Sequence, residues 1–405
     1  MANFYDYLAW RGDLSFAQAP ANEVDFLLLA WLSYVEWDQV LPSPGERASL
    51  SLGQAAEKYF SLHPDLLKKD ESYSIHVGIS GAALLEKAAL CPRFQDLQLC
   101  AFANELDLEE EKQFAALTFL LDDTAVVSFR GTDTSIVGWK EDCFLSLSEA
   151  VPAQIAAVRY LENTPVLEGR KIVLCGHSKG GNLAVYSGAR CRGDISARIE
   201  RIYNFDGPGF PLSFIQSQDY IRLLPRIQTI IPKSSVVGLL LEHREKHQIV
   251  KSAHISVWQH LPVYWEVLGA AFVREKELSA SSILLDKTLK EWLQKLNDEE
   301  KRQYIRMLFS LLEATGATRL EELGDDALGR LIKALRALSG LKSVEKNMLL
   351  RAALLLIQSC NQTLYETVSA PGAELIRQGQ QKLRELIDKI RQGADKLLGW
   401  EDEEE

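Results

Sequence analysis

The chain is poor in the features that commit a protein to a membrane, to nucleic acid or to export. Its longest apolar stretch, Met348 to Ile357, carries Arg351 and falls well short of the ~18–20 residues that a membrane span needs. Positive charge is in deficit: 45 Lys and Arg stand against 56 Asp and Glu, a net charge of −11. A phosphate backbone needs a clustered positive field, so nucleic acid is not an expected partner, and an anionic bilayer surface gains nothing either. The opening MANFYDYLAWRGD has no basic segment followed by an apolar run, so it does not read as a secretory leader. The six cysteines (91, 100, 143, 175, 191 and 360) lie far apart with no CxxC pair, and read as reduced thiols. A cytoplasmic location is the expectation, and in that setting Arg11-Gly12-Asp13 reads as a chance occurrence of an adhesion tripeptide.

What is present is an ordinary globular balance, 47% hydrophobic and 25% charged, in 405 residues. That length has room for two or three domains. Residues 23–37 space Val24, Leu27, Leu28, Trp31, Leu32 and Val35 as one helical face, with Asn22 as N-cap. From about residue 95 the period changes. Segments 97–106 and 114–121 read as strands around the acidic turn DLEEE, and TAVVSF at 124–129 reads as a buried strand. A helix over 152–162, a strand at 171–175, a helix over 180–191 and strands at 199–205 and 227–231 follow. Strands alternating with helices imply an α/β architecture with a mainly parallel sheet covered on both faces. After about residue 275 only helical patterns remain, at roughly 286–296, 298–314, 319–338, 343–367 and 372–398. Asn297 with Glu300, and Thr318 with Glu321, have capping-box spacing. The expected organisation is an N-terminal helical segment (1–90) integrated with an α/β core (91–275), a C-terminal helical bundle (276–400) and an acidic tail (401–405). The bundle is the candidate surface for a second copy or a protein partner.

The strongest chemical signal is Gly176-His177-Ser178-Lys179-Gly180, set between the strand KIVLC and a small-residue helix. It fits the G-x-S-x-G nucleophile elbow of α/β-hydrolases. A serine at a sharp strand-to-helix turn stands clear of the sheet, and glycines on either side let strand and helix approach. Lys179 is followed by glycine, and no G-x-x-x-x-G-K-[ST] phosphate loop exists. About 48 residues earlier, Phe129-Arg130-Gly131-Thr132 ends a strand. Acyl transfer needs two donors aimed at the oxyanion: Lys179 offers the amide after the nucleophile, and Thr132 stands where an earlier strand-to-helix loop supplies the other.

With both elements in view, VVSFRGTDTSIVGWKEDCFLS and IVLCGHSKGGNLA resemble the fungal and plant class 3 lipases over roughly residues 95–265. The resemblance implies an α/β-hydrolase fold, an oxyanion donor in the FRGT loop, and a lid segment to which Trp139 and Asp142 correspond. The N-terminal DYLAWRGDLSF and NEVDFLLLAWLSY are similar to the bacterial, lipase-like Mbeg-like family.

In α/β-hydrolases the chain order is serine, acid, histidine. His63 and His76 precede the serine, and His177 sits in the elbow itself. His243, His247, His254 and His260 remain. The string HREKH, with histidines four apart as on one helix face, matches neither H-E-x-x-H nor H-x-x-E-H, so no metal is implied. The related lipases place the catalytic histidine in a late loop shortly before an aromatic pair, which favours His260 ahead of Tyr264-Trp265, with His254 the rival. Class 3 lipases carry their aspartate after the strand matching 227–231, but this chain has Ser234 and Ser235 there. Asp206 in YNFDGPGF follows the preceding strand, as in pancreatic-type lipases, and is the expected acid, with Glu242 the fallback. Asp206 could equally serve an Asx turn before Gly207-Pro208.

The expectation is therefore a serine esterase acting on a small-molecule or lipid ester through Ser178, His260 and Asp206, with Thr132 and Lys179 at the oxyanion and no cofactor. A thioesterase or peptidase, and a non-catalytic hydrolase fold used as a binding module, are the alternatives.

Overall fold

The structure is a computed structural model that describes residues 1–67, 81–133, 135–145, 147–254 and 256–316. The helices expected beyond residue 318, the Thr318–Glu321 cap and the acidic tail lie outside these residues. Eight strands form one sheet in strictly sequential order: β1 (Leu50–Ser51), β2 (Gln98–Asp107), β3 (Lys112–Leu121), β4 (Thr124–Phe129), β5 (Lys171–His177), β6 (Ile199–Phe205), β7 (Ile227–Pro232) and β8 (Gln248–Val250). β1 to β4 pair antiparallel, and β4 to β8 pair parallel. The acidic turn between β2 and β3 is tied by the Asp107 carboxylate, which accepts from the amides of Glu109 and Glu110.

Sequential winding has a geometric consequence. Right-handed crossovers that always step in the same direction put every connecting helix on one face of the sheet. That face carries α6 (Pro152–Asn163), α7 (Lys179–Arg190) and α8 (Gln218–Leu223), and it buries Ala125, Val127, Phe129, Ile172, Leu174 and Ile202. The alternate residues Val126, Val173, Cys175, Tyr203 and Phe205 point the other way, as the two-residue strand period requires. They are covered by the N-terminal α1 (Phe4–Arg11), α2 (Glu23–Leu32), α3 (Leu52–Leu62) and α4 (Gly81–Ala88), and by the hairpin β9 (Val267–Leu268) and β10 (Ala271–Phe272).

α2 is buried from Val24 to Leu32, as an all-round apolar helix must be. Asn22 caps it, accepting from Val24 N and Asp25 N, while Asp25 returns a bond to the Asn22 amide. The helix ends at Leu32, five residues before the sequence pattern does. The Ser33 hydroxyl folds back to the Ala30 carbonyl and Trp37 Nε1 donates to the Leu32 carbonyl. Val35 and Trp37 thus enter the core from a turn, because burial rewards them there as well as helical spacing would. Asp25 and Arg93, both without side-chain exposure, form a bidentate pair at 2.8 and 2.6 Å. Tyr7 also donates to Asp25, and Arg93 Nη1 donates to the carbonyls of Leu14 and Ala19. One buried pair therefore clamps α1, α2 and the loop between them.

The chain divides into two compact units: Met1–Asp133 with Ser148–Ser279, and Thr134–Leu147 with the chain from Ala280 onward. In the second, α5 (Ile136–Phe144) packs with α10 (Asp298–Ala314) through Ile136 and Phe309, joined by Cys143, Ile305 and Leu312. Lys140 pairs with Glu313 at 3.2 Å, and Arg302 donates to the Leu147 carbonyl. Asn297 and Glu300 form the expected capping box on α10. The helix before it, α9, runs Ala280–Gln294, six residues earlier in its start than the pattern at 286–296. Among the described residues no helix is long and apolar enough to cross a membrane. Among the described cysteines, all free, burial pushes the thiols of Cys100, Cys175 and Cys191 up to about 12.

Breaking the Asp25–Arg93 pair leaves a buried guanidinium uncompensated. Asp25→Ala is expected to cost about 3–5 kcal/mol. Urea unfolding will show this as a lower midpoint with an unchanged slope; a wild-type midpoint would show that the pair does not anchor the N-terminal helices.

Candidate active site

β5 runs straight into α7, and Ser178 is the residue at the bend. Its backbone sits at φ 59°, ψ −132°, a conformation that costs a non-glycine residue roughly 1–3 kcal/mol. The bend is held closed from both sides. The Ser178 amide donates to the Phe205 carbonyl on β6, and its carbonyl accepts from Gly181 N. A Cβ on Gly176 would lie 2.2 Å from the Gly180 carbonyl, and one on Gly180 would lie 2.0 Å from the Phe129 carbonyl. Strand, helix and the end of β4 thus meet at a closeness that only glycine allows.

The FRGT loop lies directly against the elbow. A Cβ on Gly131 would come within 3.2 Å of Ser178 Cβ, 2.6 Å of the His177 carbonyl and 2.1 Å of the Tyr34 hydroxyl. Arg130 pins the loop: its amide donates to the Ala115 carbonyl and its buried guanidinium to Asn104 Oδ1. Thr132 follows, partly exposed. Lys179 opens α7, at the end where the helix dipole favours negative charge. Its side chain turns inward, and Nζ donates to the carbonyl and Oε1 of Gln113 at 3.0 and 2.7 Å. Trp139, half-exposed, and Asp142 both lie on α5 in the second unit.

Asp206 ends β6 with a positive φ of 51° and no solvent exposure. The Asx-type contact falls instead to Asn204, whose Oδ1 accepts from Gly207 N. That leaves the Asp206 carboxylate free to reach three donors: His260 Nδ1 at 2.7 Å on one oxygen, Ser235 Oγ at 2.5 Å and Gly238 N at 3.2 Å on the other. Ser235 lies just past β7, so its bond ties the β7–β8 connection to this carboxylate. Asn182 on α7 donates to the carbonyls of Pro208 and Gly209, tying the helix after Ser178 to the Asp206 loop.

His260 closes a short 3-10 turn, Ser256–His260. The turn is anchored by Trp265, fully buried, whose Nε1 donates to the Gln259 carbonyl, and by Ser234 N, which donates to Gln259 Oε1. The His260 side chain is 24% exposed and Asp206 0%, so the pair runs from a sealed carboxylate to a solvent-accessible imidazole. The structure joins Asp206 to His260 directly, and Ser178 to them through its neighbours. Among the described residues no hydrogen bond runs from the Ser178 hydroxyl to His260. Such bonds are commonly long before substrate binds. His254 is exposed and packs at a tilt against Tyr264, 4.6 Å between ring centres, and Glu242 is exposed, paired through its backbone with Phe210.

Sequence reasoning missed two residues beside the elbow. His177 Nε2 bonds the His260 carbonyl at 2.8 Å, the two rings are 4.5 Å apart, and Tyr34 OH meets His177 Nδ1 at 3.1 Å. Burial, and then the neighbouring His260, hold the His177 pKa well below its ordinary value. A neutral imidazole donating from Nε2 and accepting at Nδ1 satisfies both contacts. The G-x-S-x-G pattern gave no signal for this, since its second position is open to many residues.

A family model described as Mbeg1-like matches residues 88–310. No curated protein matches the chain. Among solved structures, the Rhizomucor miehei lipase propeptide complex aligns at 17% identity over 38% of this chain and 57% of that one, with a TM-score of 0.30. M37 lipase aligns at 14% identity over 53% and 68%, TM-score 0.29, and Lip2 lipase from Yarrowia lipolytica at 14% over 49% and 78%, TM-score 0.29. The alignment thus spans less than two thirds of the Rhizomucor chain.

His177 gives a pH signature. Its folded pKa lies below the unfolded value of about 6.5, so below that pH the unfolded state binds the extra proton and stability falls as pH drops. Denaturant unfolding at intervals from pH 7 to 5 is expected to show this slope, up to about 1.4 kcal/mol per pH unit from one group, and His177→Gln is expected to flatten it. Equal slopes in the two proteins would mean that His177 is not held neutral.

Proposed function

This chain belongs to the Mbeg1-like family, and from that premise and the geometry at the elbow we propose a serine hydrolase that cleaves carboxylic esters of lipid or other acyl groups. The observation that carries this reading is the 2.7 Å contact of His260 Nδ1 with the buried Asp206 carboxylate, beside a serine held in a strained strand-to-helix turn. Ser178 Oγ attacks the ester carbonyl as His260 Nε2 takes its proton. Asp206 accepts the Nδ1–H, fixes the tautomer and stabilises the imidazolium. The backbone amides of Thr132 and Lys179 receive the oxyanion. His260 then protonates the departing alcohol, and water, deprotonated by the same imidazole, releases the acid and restores Ser178. A neutral His177 beside His260 spares the imidazolium a second positive charge at that moment.

The α/β-hydrolase scaffold does not decide between oxygen esters, thioesters and amides, so the substrate class rests on the lipase resemblance of the FRGT and elbow segments. A fluorophosphonate probe is expected to label the wild type and not Ser178→Ala. No labelling of the wild type would favour a non-catalytic binding module, and labelling of both would move the nucleophile elsewhere. Asp206→Asn is expected to lower kcat on a p-nitrophenyl ester by about 10⁴-fold through the wrong tautomer. A wild-type rate would exclude Asp206 as the acid, and faster turnover of acyl thioesters or peptides in a parallel panel would reassign the substrate.

A further inference from the structure

We propose that His243, Glu245 and His247 form a site for one divalent ion of the zinc type, at the connection between β7 and β8. The sequence spacing suggests a helix face, but these residues are not helical. Glu242 pairs with Phe210 through two backbone bonds at 3.0 and 3.1 Å, and β8 begins at Gln248. The tight loop between brings the His243 and His247 rings to 4.6 Å, at 78° to each other. One ligand atom from each of the three side chains lies within 4.8 Å of the others. Two nitrogens on one zinc ion stand at most about 4 Å apart, so a small side-chain rotation completes the site.

Glu245 accepts from His243 Nδ1 at 3.0 Å and Thr229 Oγ1 at 2.5 Å on one oxygen, and from Tyr220 OH and Arg244 N on the other. With Nδ1 bonded to Glu245, His243 keeps Nε2 for a ligand, the carboxylate–histidine arrangement that orients imidazole ligands. His243 is only 5% exposed, and its Nε2 is buried with no hydrogen-bond partner. His247 lines a surface depression together with Gln248 and Arg274. Imidazole with carboxylate suits zinc better than magnesium or calcium, which prefer all-oxygen shells.

The site would brace the Asp206 loop. A Cβ on Gly209, three residues after Asp206, would meet His243 Cδ2 at 2.8 Å, and Gly209 N donates to the Leu240 carbonyl. The same β7–β8 connection carries Ser235 and Gly238, the donors to Asp206. Ion binding does not depend on the esterase reading.

The test uses untagged full-length protein, stripped with a chelator and titrated with zinc chloride against a chromophoric competitor. One equivalent is expected to bind to the wild type and equally to Ser178→Ala. Glu245→Gln is expected to weaken binding by about 10–100-fold, and His243→Asn/His247→Asn to abolish it. No stoichiometric binding by the wild type, or undiminished binding by the double variant, would overturn the proposal. Should that variant fail to fold, X-ray absorption of the zinc-loaded wild type decides: scattering from two imidazoles is expected, and a shell of sulfur, or one without imidazole, overturns it.

Discussion

A carboxylate sealed from solvent survives as an anion only when donors surround it, and much of this site can be read as the set of donors gathered around Asp206. His260 takes one oxygen, and Ser235 with Gly238 takes the other. Each comes from a different segment beyond β7, so the β7–β8 connection and the late His260 turn are both tied to the end of β6. Asn182 ties the helix after Ser178 to the same loop from the opposite side. The bonds that satisfy one buried carboxylate therefore also hold the His260 turn and α7 against the same loop.

The sheet sets what must cover it. Sequential winding supplies helices for one face only, and the N-terminal helices close the other. Their attachment rests on a buried ion pair, Asp25 with Arg93. The cover also reaches the chemistry, because Tyr34, just past the end of α2, bonds the ring of His177 behind the elbow. The N-terminal segment is thus part of the sheet's core and supports the site from behind.

Legibility followed the range of the interactions. The strands from β2 to β7 and the helices around the elbow were readable because their apolar periodicity and glycine spacing are local. β1, β8 and the β9–β10 hairpin were not read from the pattern, being two or three residues each, held by pairing rather than propensity. The end of α2 was overrun because Val35 keeps helical spacing while being buried from a turn. HREKH invited a helical reading, yet the bridge from Glu242 to Phe210 and the start of β8 leave no room for a helix.

The amino-acid sequence by itself determined the α/β alternation, the membership that residues 88–310 express, and Ser178 at a glycine-flanked turn. Those depend on periods of two and 3.6 residues and on where a Cβ can be absent, which neighbours in the chain decide. Only the tertiary structure decided which histidine meets which acid. His260 and Asp206 are 54 residues apart, and four histidines were compatible with the same chain order. Their contact is set by how β6, the β7–β8 connection and the Trp265-anchored turn pack together. The roles of Ser235 and His177 were decided there too, since a hydroxyl or an imidazole acquires its partner from packing and not from its position in the chain.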